Sequence, residues 1–224
     1  TLIRSLPISV AGKTEYVAIK HATGDDGLPV YFVDHPGSFD RKGLYGHPDD
    51  AYRFTAFCRA ILEGIEASGW VPDIINCNDW QTGLTPAYLH FAQGAAPSVI
   101  TIHNLAFQGI FPPVTASQLY LPPSCFSING VEFYGSLSFL KAGLFYADHI
   151  TTVSPNYAKE IQQKVLGSGL HGLLTTRRDD LTGILNGIDI DWSHTTHDVA
   201  VKYPYGPSEK RVDGKIQYHG WKEG

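Results

Sequence analysis

Apolar residues recur along this chain at two alternating spacings. Between residues 50 and 68, Phe54, Phe57, Ile61, Leu62 and Ile65 fall on one face at helical spacing, which predicts a helix with Asp49 or Asp50 as its cap. Short apolar runs bounded by turn residues predict strands at 28–34, 73–77, 98–102, 149–153 and 181–185. A further pair of strands is expected within 6–20, divided by the turn-forming Gly12. Helices are expected at 83–92, opened by Thr82, at 137–147, and at 155–166, where Pro155 suits a first helical turn. Strands that alternate with helices indicate an α/β fold: a Rossmann-like parallel sheet with helices on both faces.

Two stretches break the rhythm. Residues 103–137 are irregular, rich in aromatics, and carry the pairs Pro112-Pro113 and Pro122-Pro123. A loop of that length in a compact domain is functional or packed as an excursion. After Trp192 no period is sustained, so residues 193–224 read as a hinge or tail beyond a domain of residues 1–192.

In an open α/β sheet, ligands bind outside the carboxyl ends of the strands. The predicted strand ends hand over to Asn78-Asp79-Trp80, to His103-Asn104, to Ser154-Pro155 and to Asn186-Gly187-Ile188-Asp189. Four polar endings at one rim suggest a polar ligand. Each also has a plainer reading: Asp79 as a helix cap, Asn186-Gly187 as a turn, His103 as a structural histidine, Ser154 as an N-cap.

Composition narrows the field. The 224 residues are 43% hydrophobic and 17% charged, and 17 basic against 22 acidic residues give a net charge of −5. Opposite charges are well mixed, with no basic run for nucleic acid or an anionic membrane, no apolar stretch long enough to span one, and no signal-peptide pattern in residues 1–20. Cys58, Cys77 and Cys125 are odd in number and widely spaced, so buried thiols in a reducing compartment are expected rather than disulfides or zinc. The ten histidines are scattered, and no metal site is expected. A start at Thr1 and a complete lack of methionine suggest a processed chain or an excerpt.

Several chemistries find no support. Gly167-Ser168-Gly169-Leu170-His171-Gly172 spells G-x-G-x-x-G, but it follows a predicted helix instead of a strand, so a helix-ending glycine turn is expected. Walker A, G-x-S-x-G and H-E-x-x-H sequences are absent, which argues against a small α/β hydrolase. A retaining glycosidase needs a second carboxylate facing Asp79; Glu132 and Asp189 are candidates without support.

The words at the strand ends carry a resemblance. Cys77-Asn78-Asp79-Trp80-Gln81-Thr82-Gly83-Leu84, Thr101-Ile102-His103-Asn104-Leu105-Ala106-Phe107-Gln108-Gly109, Phe139-Leu140-Lys141-Ala142-Gly143-Leu144 and Leu185-Asn186-Gly187-Ile188-Asp189 resemble, in order and spacing, the N-terminal domain of bacterial and plant starch and glycogen synthases. The resemblance runs from about Gly27 to Trp192. It implies a GT-B fold of two Rossmann-like domains, and transfer of glucose from ADP-glucose to the non-reducing end of an α-1,4-glucan with retention. By motif it implies that His103 and Asp79 serve the reaction centre, that Asn104 and Asn186 reach the donor sugar, and that Tyr45 lies near the acceptor glucan. It implies no metal and no cofactor, and a bacterial cytoplasm or a plastid as the setting. Of the aromatics Trp80, Phe107, Phe111 and Tyr134, most are expected in the core.

Two family parts find no counterpart. The K-x-G-G-L loop that binds the diphosphate is not seen before Gly27, and the second Rossmann domain with its cationic residues is not seen after Trp192. The cation within the motifs, Lys141, is expected to be structural. The chain by itself is therefore expected not to transfer glucose appreciably. The alternative is a non-catalytic glucan-binding or regulatory module that keeps the surface around Tyr45.

Overall fold

The computed structural model describes residues 2–92, 96–187, 210–212 and 215–217. The chain divides into two compact units, Thr1–Leu185 and Asn186–Gly224.

The first unit opens with an antiparallel sheet of three strands in the order β1-β2-β3: β1 (Ile3–Val10), β2 (Lys13–Thr23) and β3 (Pro29–Asp34). Ala11 and Gly12, both at positive φ, make the two-residue turn between β1 and β2. Leu6, Ile8 and Val10 alternate inward, and with Val17 and Ile19 they bury Ala56 and Ala60 of a long helix. The strand expected at 28–34 is thus present, but it pairs antiparallel with β2. Its residues Val30, Tyr31 and Phe32 are exposed, and its outer edge is open among the described residues.

After a single turn, α1 (Pro36–Phe39), comes the long helix α2 (Asp50–Ser68), with the bounds that the periodicity predicted. Gly69 ends it in the left-handed conformation, at φ 70°. Neither Asp49 nor Asp50 caps it. Asp49 pairs with Arg41, and Asp50 accepts the backbone N–H groups of Gly46 and His47, which precede the helix.

The second sheet is parallel throughout, in the order β10-β9-β5-β4: β4 (Ile75–Asn78), β5 (Ser98–Ile102), β9 (His149–Thr152) and β10 (Leu181–Gly183). Between β4 and β5 runs α3 (Thr85–Phe91). The stretch expected to be irregular between β5 and the next helix holds a small antiparallel sheet in the order β6-β8-β7: β6 (Ile110–Phe111), β7 (Glu132–Phe133) and β8 (Ser136–Ser138). Then come α4 (Phe139–Tyr146), α5 (Pro155–Glu160) and α6 (His171–Thr176). Ser138 and Ser154 are N-caps; their Oγ atoms accept the N–H of Lys141 at 3.1 Å and of Tyr157 at 2.9 Å. Helix α5 stops six residues short of its predicted end, and α6 was not anticipated at all.

The parallel strands advance in one direction across the sheet. Right-handed crossovers then place every connection on the same face. That face carries Cys77, Ile100, Ile102 and Ile150, packed with Leu84 and Tyr88 of α3 and Phe139, Leu140 and Leu144 of α4 into the main core. The opposite face is polar. Thr101 Oγ1 lies 3.1 Å from Asn76 Oδ1 and 2.8 Å from Thr151 Oγ1, and His149 Nε2 lies 3.0 Å from Thr182 Oγ1.

In the second unit the described strands are β11 (Lys210–Val212) and β12 (Lys215–Gln217), paired antiparallel where no element was expected. The remainder of 193–224 lies outside the described residues.

Candidate active site

The rim begins where β4 and β5 end side by side. Asn78 pairs in register with Thr101, and Asp79 N–H donates to Thr101 O at 3.0 Å, so the two chains leave the sheet together. Thr82 Oγ1 accepts the N–H of Asn78 at 2.6 Å and donates back to its carbonyl at 2.8 Å, which folds residues 78–82 into a tight turn.

Asp79 is bent to suit this turn. Its φ of 53° and ψ of −167° lie in a region that essentially only glycine occupies, at a cost of about 1–3 kcal/mol. It does not cap the following helix; no cap hydrogen bond is made there. Instead Asp79 Oδ1 accepts the backbone N–H of His103 at 2.9 Å. His103 is exposed, and its Nε2 lies 2.9 Å from Asn78 Oδ1. An amide oxygen only accepts, so this contact puts the ring proton on Nε2 and leaves Nδ1 of the neutral ring as an acceptor. Asn78 was within the quoted motif but had been given no role. Its register opposite Thr101, one residue before Asp79, was the signal available.

Asn104 is exposed, and its Oδ1 accepts the N–H of Ala106 at 3.0 Å, so it shapes the loop through an Asx turn. Tyr157 pins the same loop through its hydroxyl, which accepts the N–H of Leu105 at 3.1 Å. Gln108 Nε2 donates to Ser168 O at 2.8 Å, tying the loop to Gly167-Ser168-Gly169. Those glycines follow α5 and lead into α6, not out of a strand, in keeping with a structural turn.

Tyr45 joins the rim through Trp80, edge to face with ring centroids 6.3 Å apart. The buried Trp80 also packs on Phe54 at 4.7 Å and Phe111 at 5.9 Å. Gly109, at φ 59°, lies so close that an added Cβ would come within 2.4 Å of the Trp80 ring. Beside Tyr45 a cavity of about 510 Å³ is lined by Phe39, Arg41, Arg53 and Gln81. Of the aromatics expected in the core, Trp80 is buried and Phe111 half-buried, while Phe107 and Tyr134 are exposed.

Lys141 does not face the rim's turn. Its Nζ donates to Ile128 O at 2.8 Å and to Glu132 O, and burial lowers its pKa while Glu132 partly opposes that shift. Cys58, Cys77 and Cys125 are buried free thiols. Burial pushes Cys58 up to about 11 and Cys77 up to about 12. Among the described residues no group of three His, Cys, Asp or Glu side chains is placed to hold a metal ion, and no helix is long and apolar enough to cross a membrane. Asn186 is exposed three residues beyond β10, at the start of the second unit, and the structure does not bring it together with the other rim residues.

Comparison with known proteins decides the family. The model of the starch synthase catalytic domain matches residues 2–176. The chain belongs to that family. The match begins well before Gly27, so the N-terminal hairpin is family sequence too. The glycogen synthase of Nitrosomonas eutropha is 53% identical over 187 residues, covering 78% of this chain and 37% of that protein. The glycogen synthase of Halalkalibacterium halodurans is 42% identical over 221 residues, covering 96% of this chain and 46% of that protein. That alignment reaches into the tail beyond Trp192, which keeps more of the family's sequence than expected. The catalytic domain of starch synthase IV from Arabidopsis thaliana, bound to ADP and acarbose, superimposes with a TM-score of 0.81 at 31% identity, over 91% of this chain and 44% of that one. The family fold is GT-B. This chain spans roughly two fifths of the length of these relatives.

Proposed function

We propose that this chain is the acceptor-side part of a starch or glycogen synthase, a glucosyltransferase that moves glucose from ADP-glucose to the non-reducing end of an α-1,4-glucan with retention. The observation that carries this reading is the Asp79–His103–Asn78 constellation, set at the carboxyl ends of two adjacent parallel strands. Glucosyl transfer develops positive charge on the sugar and negative charge on the leaving diphosphate. A carboxylate and neutral hydrogen bonders suit the first. His103 Nδ1 and the amides of Asn78 and Asn104 would take sugar hydroxyls, with Asn186 brought in from the neighbouring segment. Tyr45, beside its cavity, would bear on the acceptor.

The leaving diphosphate needs cations. Lys141 is committed to backbone carbonyls and Arg41 to Asp49, so neither suits that task. The outer edges of β3 and β4 and the polar face of the parallel sheet are open among the described residues. Parallel sheets are ordinarily covered on both faces. These features support a domain completed by further chain, with a second Rossmann-like domain supplying the diphosphate site. The setting of the bacterial relatives supports a cytoplasmic enzyme; a plastid would apply to a plant or algal source.

The test is incorporation of labelled glucose from ADP-glucose into glycogen. The 224-residue chain alone is expected to give none. A chimera in which residues 2–187 replace the matching segment of the Nitrosomonas eutropha glycogen synthase is expected to be active. A folded but inactive chimera would overturn the reading, and turnover by the chain alone would overturn its incompleteness.

A further inference from the structure

The hairpin between β7 and β8 breaks a local rule. Its two-residue loop, Tyr134-Gly135, has positive φ at both positions, 49° and 81°, as a type I′ turn requires. Asparagine or aspartate normally takes the first of these positions, because bulky side chains are strained there. Here a tyrosine stands in it and is 78% exposed. An aromatic ring held in a strained conformation and turned to solvent points to a role outside folding.

The ring is also held in place. Phe133 meets it edge to face with centroids 4.8 Å apart. Gly169 packs so closely that an added Cβ would lie 3.0 Å from Tyr134 Cε2 and 2.9 Å from Phe133 Cζ. Behind the hairpin is a cavity of about 560 Å³, lined by Asn129, Glu132, Tyr134 and Lys141 and by apolar side chains of α4 and α6. Lys141 is only 7% exposed, and its ammonium has three N–H groups, of which two go to the carbonyls of Ile128 and Glu132. Glu132 Oε1 accepts the N–H of Gly135 at 2.7 Å, leaving Oε2 as a further acceptor.

We propose that this cavity is a second binding site for an α-1,4-glucan chain, with a glucose face stacked on Tyr134 and its hydroxyls taken by Glu132 Oε2, Asn129 and the remaining Lys141 N–H. An aromatic face beside a carboxylate, an amide and an ammonium matches the apolar face and hydroxyl rim of a glucose unit. A protein that extends glucans gains from a second grip, because holding the polymer raises the effective concentration of its ends. The inference rests on the function proposed above.

Calorimetry of the 224-residue chain with maltoheptaose tests it. Tyr134→Asn relieves the turn, so it should raise the melting temperature while weakening binding roughly three- to tenfold, the range expected for one lost aromatic contact. Tyr134→Trp should keep binding within about twofold, since it keeps a stacking face. Unchanged affinity in Tyr134→Asn, or lost affinity in Tyr134→Trp, overturns the site. If Tyr45→Ala weakens binding and Tyr134→Asn does not, this site falls and the function stands. If the chain binds no maltoheptaose while the chimera above is active, the same holds; an inactive chimera removes the function as well.

Discussion

Asp79 holds His103 by its backbone: the carboxylate accepts the His103 N–H at 2.9 Å across the ends of β4 and β5. One strained residue therefore fixes where the loop from His103 to Gly109 leaves the sheet. The carboxylate costs backbone strain and returns a charge-assisted hydrogen bond.

Substitution at Asp79 separates those two effects. Asp79→Ala keeps the strain and loses the bond, and should destabilise by about 1.5–3 kcal/mol. Asp79→Gly loses the bond but relieves the strain, and should be more stable than Asp79→Ala by about 1 kcal/mol. Urea unfolding of both variants measures the difference; equal stabilities would mean that the backbone at Asp79 is not strained.

The loop that presents Tyr45 rests on a buried ion pair. Arg53 is 2% exposed, pairs with Asp50, and donates to Ser38 O at 2.7 Å and Leu44 O at 3.2 Å, with its guanidinium 5.4 Å and 5.2 Å from the ring centres of Phe39 and Phe54. Asp50→Ala leaves that charge buried without its partner, which should cost about 3–5 kcal/mol. Chemical denaturation checks the cost, and proteolysis should become faster between residues 38 and 47.

Alkaline pH should destabilise the fold through its thiols. Cys58 and Cys77 have folded pKa values raised to about 11 and about 12 by burial. A raised value means that their contribution is complete below the unfolded thiol range, near 8.5, and is lost as pH climbs through the folded values. Stability measured from pH 8 to pH 11 should fall, and Cys58→Ala should fall less steeply. A parallel decline in that variant would remove Cys58 as the cause.

Gly109→Ala should be severe. The new Cβ meets the Trp80 ring at 2.4 Å, and the backbone there has positive φ. A loss of about 2–4 kcal/mol and a shifted Trp80 fluorescence are expected; a near-neutral variant would show that Trp80 can move aside.

Much of the sheet and rim was legible because periodicity and strand ends are local signals. Helix α2 and strand β5 fall where the pattern placed them, and Asp79 and His103 meet as neighbours at adjacent strand ends. The elements missed are those with too few residues to show a period: β6 and β7 have two residues each, and α6 has six. Partners across a sheet were equally hidden. Nothing in the run 28–34 reveals that it lies antiparallel to β2, and nothing in Asn78 reveals that it holds the His103 ring. Tyr134 was assigned toward the core by its type, and only its backbone conformation sets it apart.

The central claim is that His103, set by Asp79 and Asn78, faces the transferred glucose. The most direct measurement is the turnover number of the chimera carrying His103→Ala, with ADP-glucose and glycogen both saturating. A fall of roughly a hundredfold or more, with maltoheptaose affinity retained, is the predicted result for a group acting in the transition state. A turnover number within twofold of the unsubstituted chimera would contradict it.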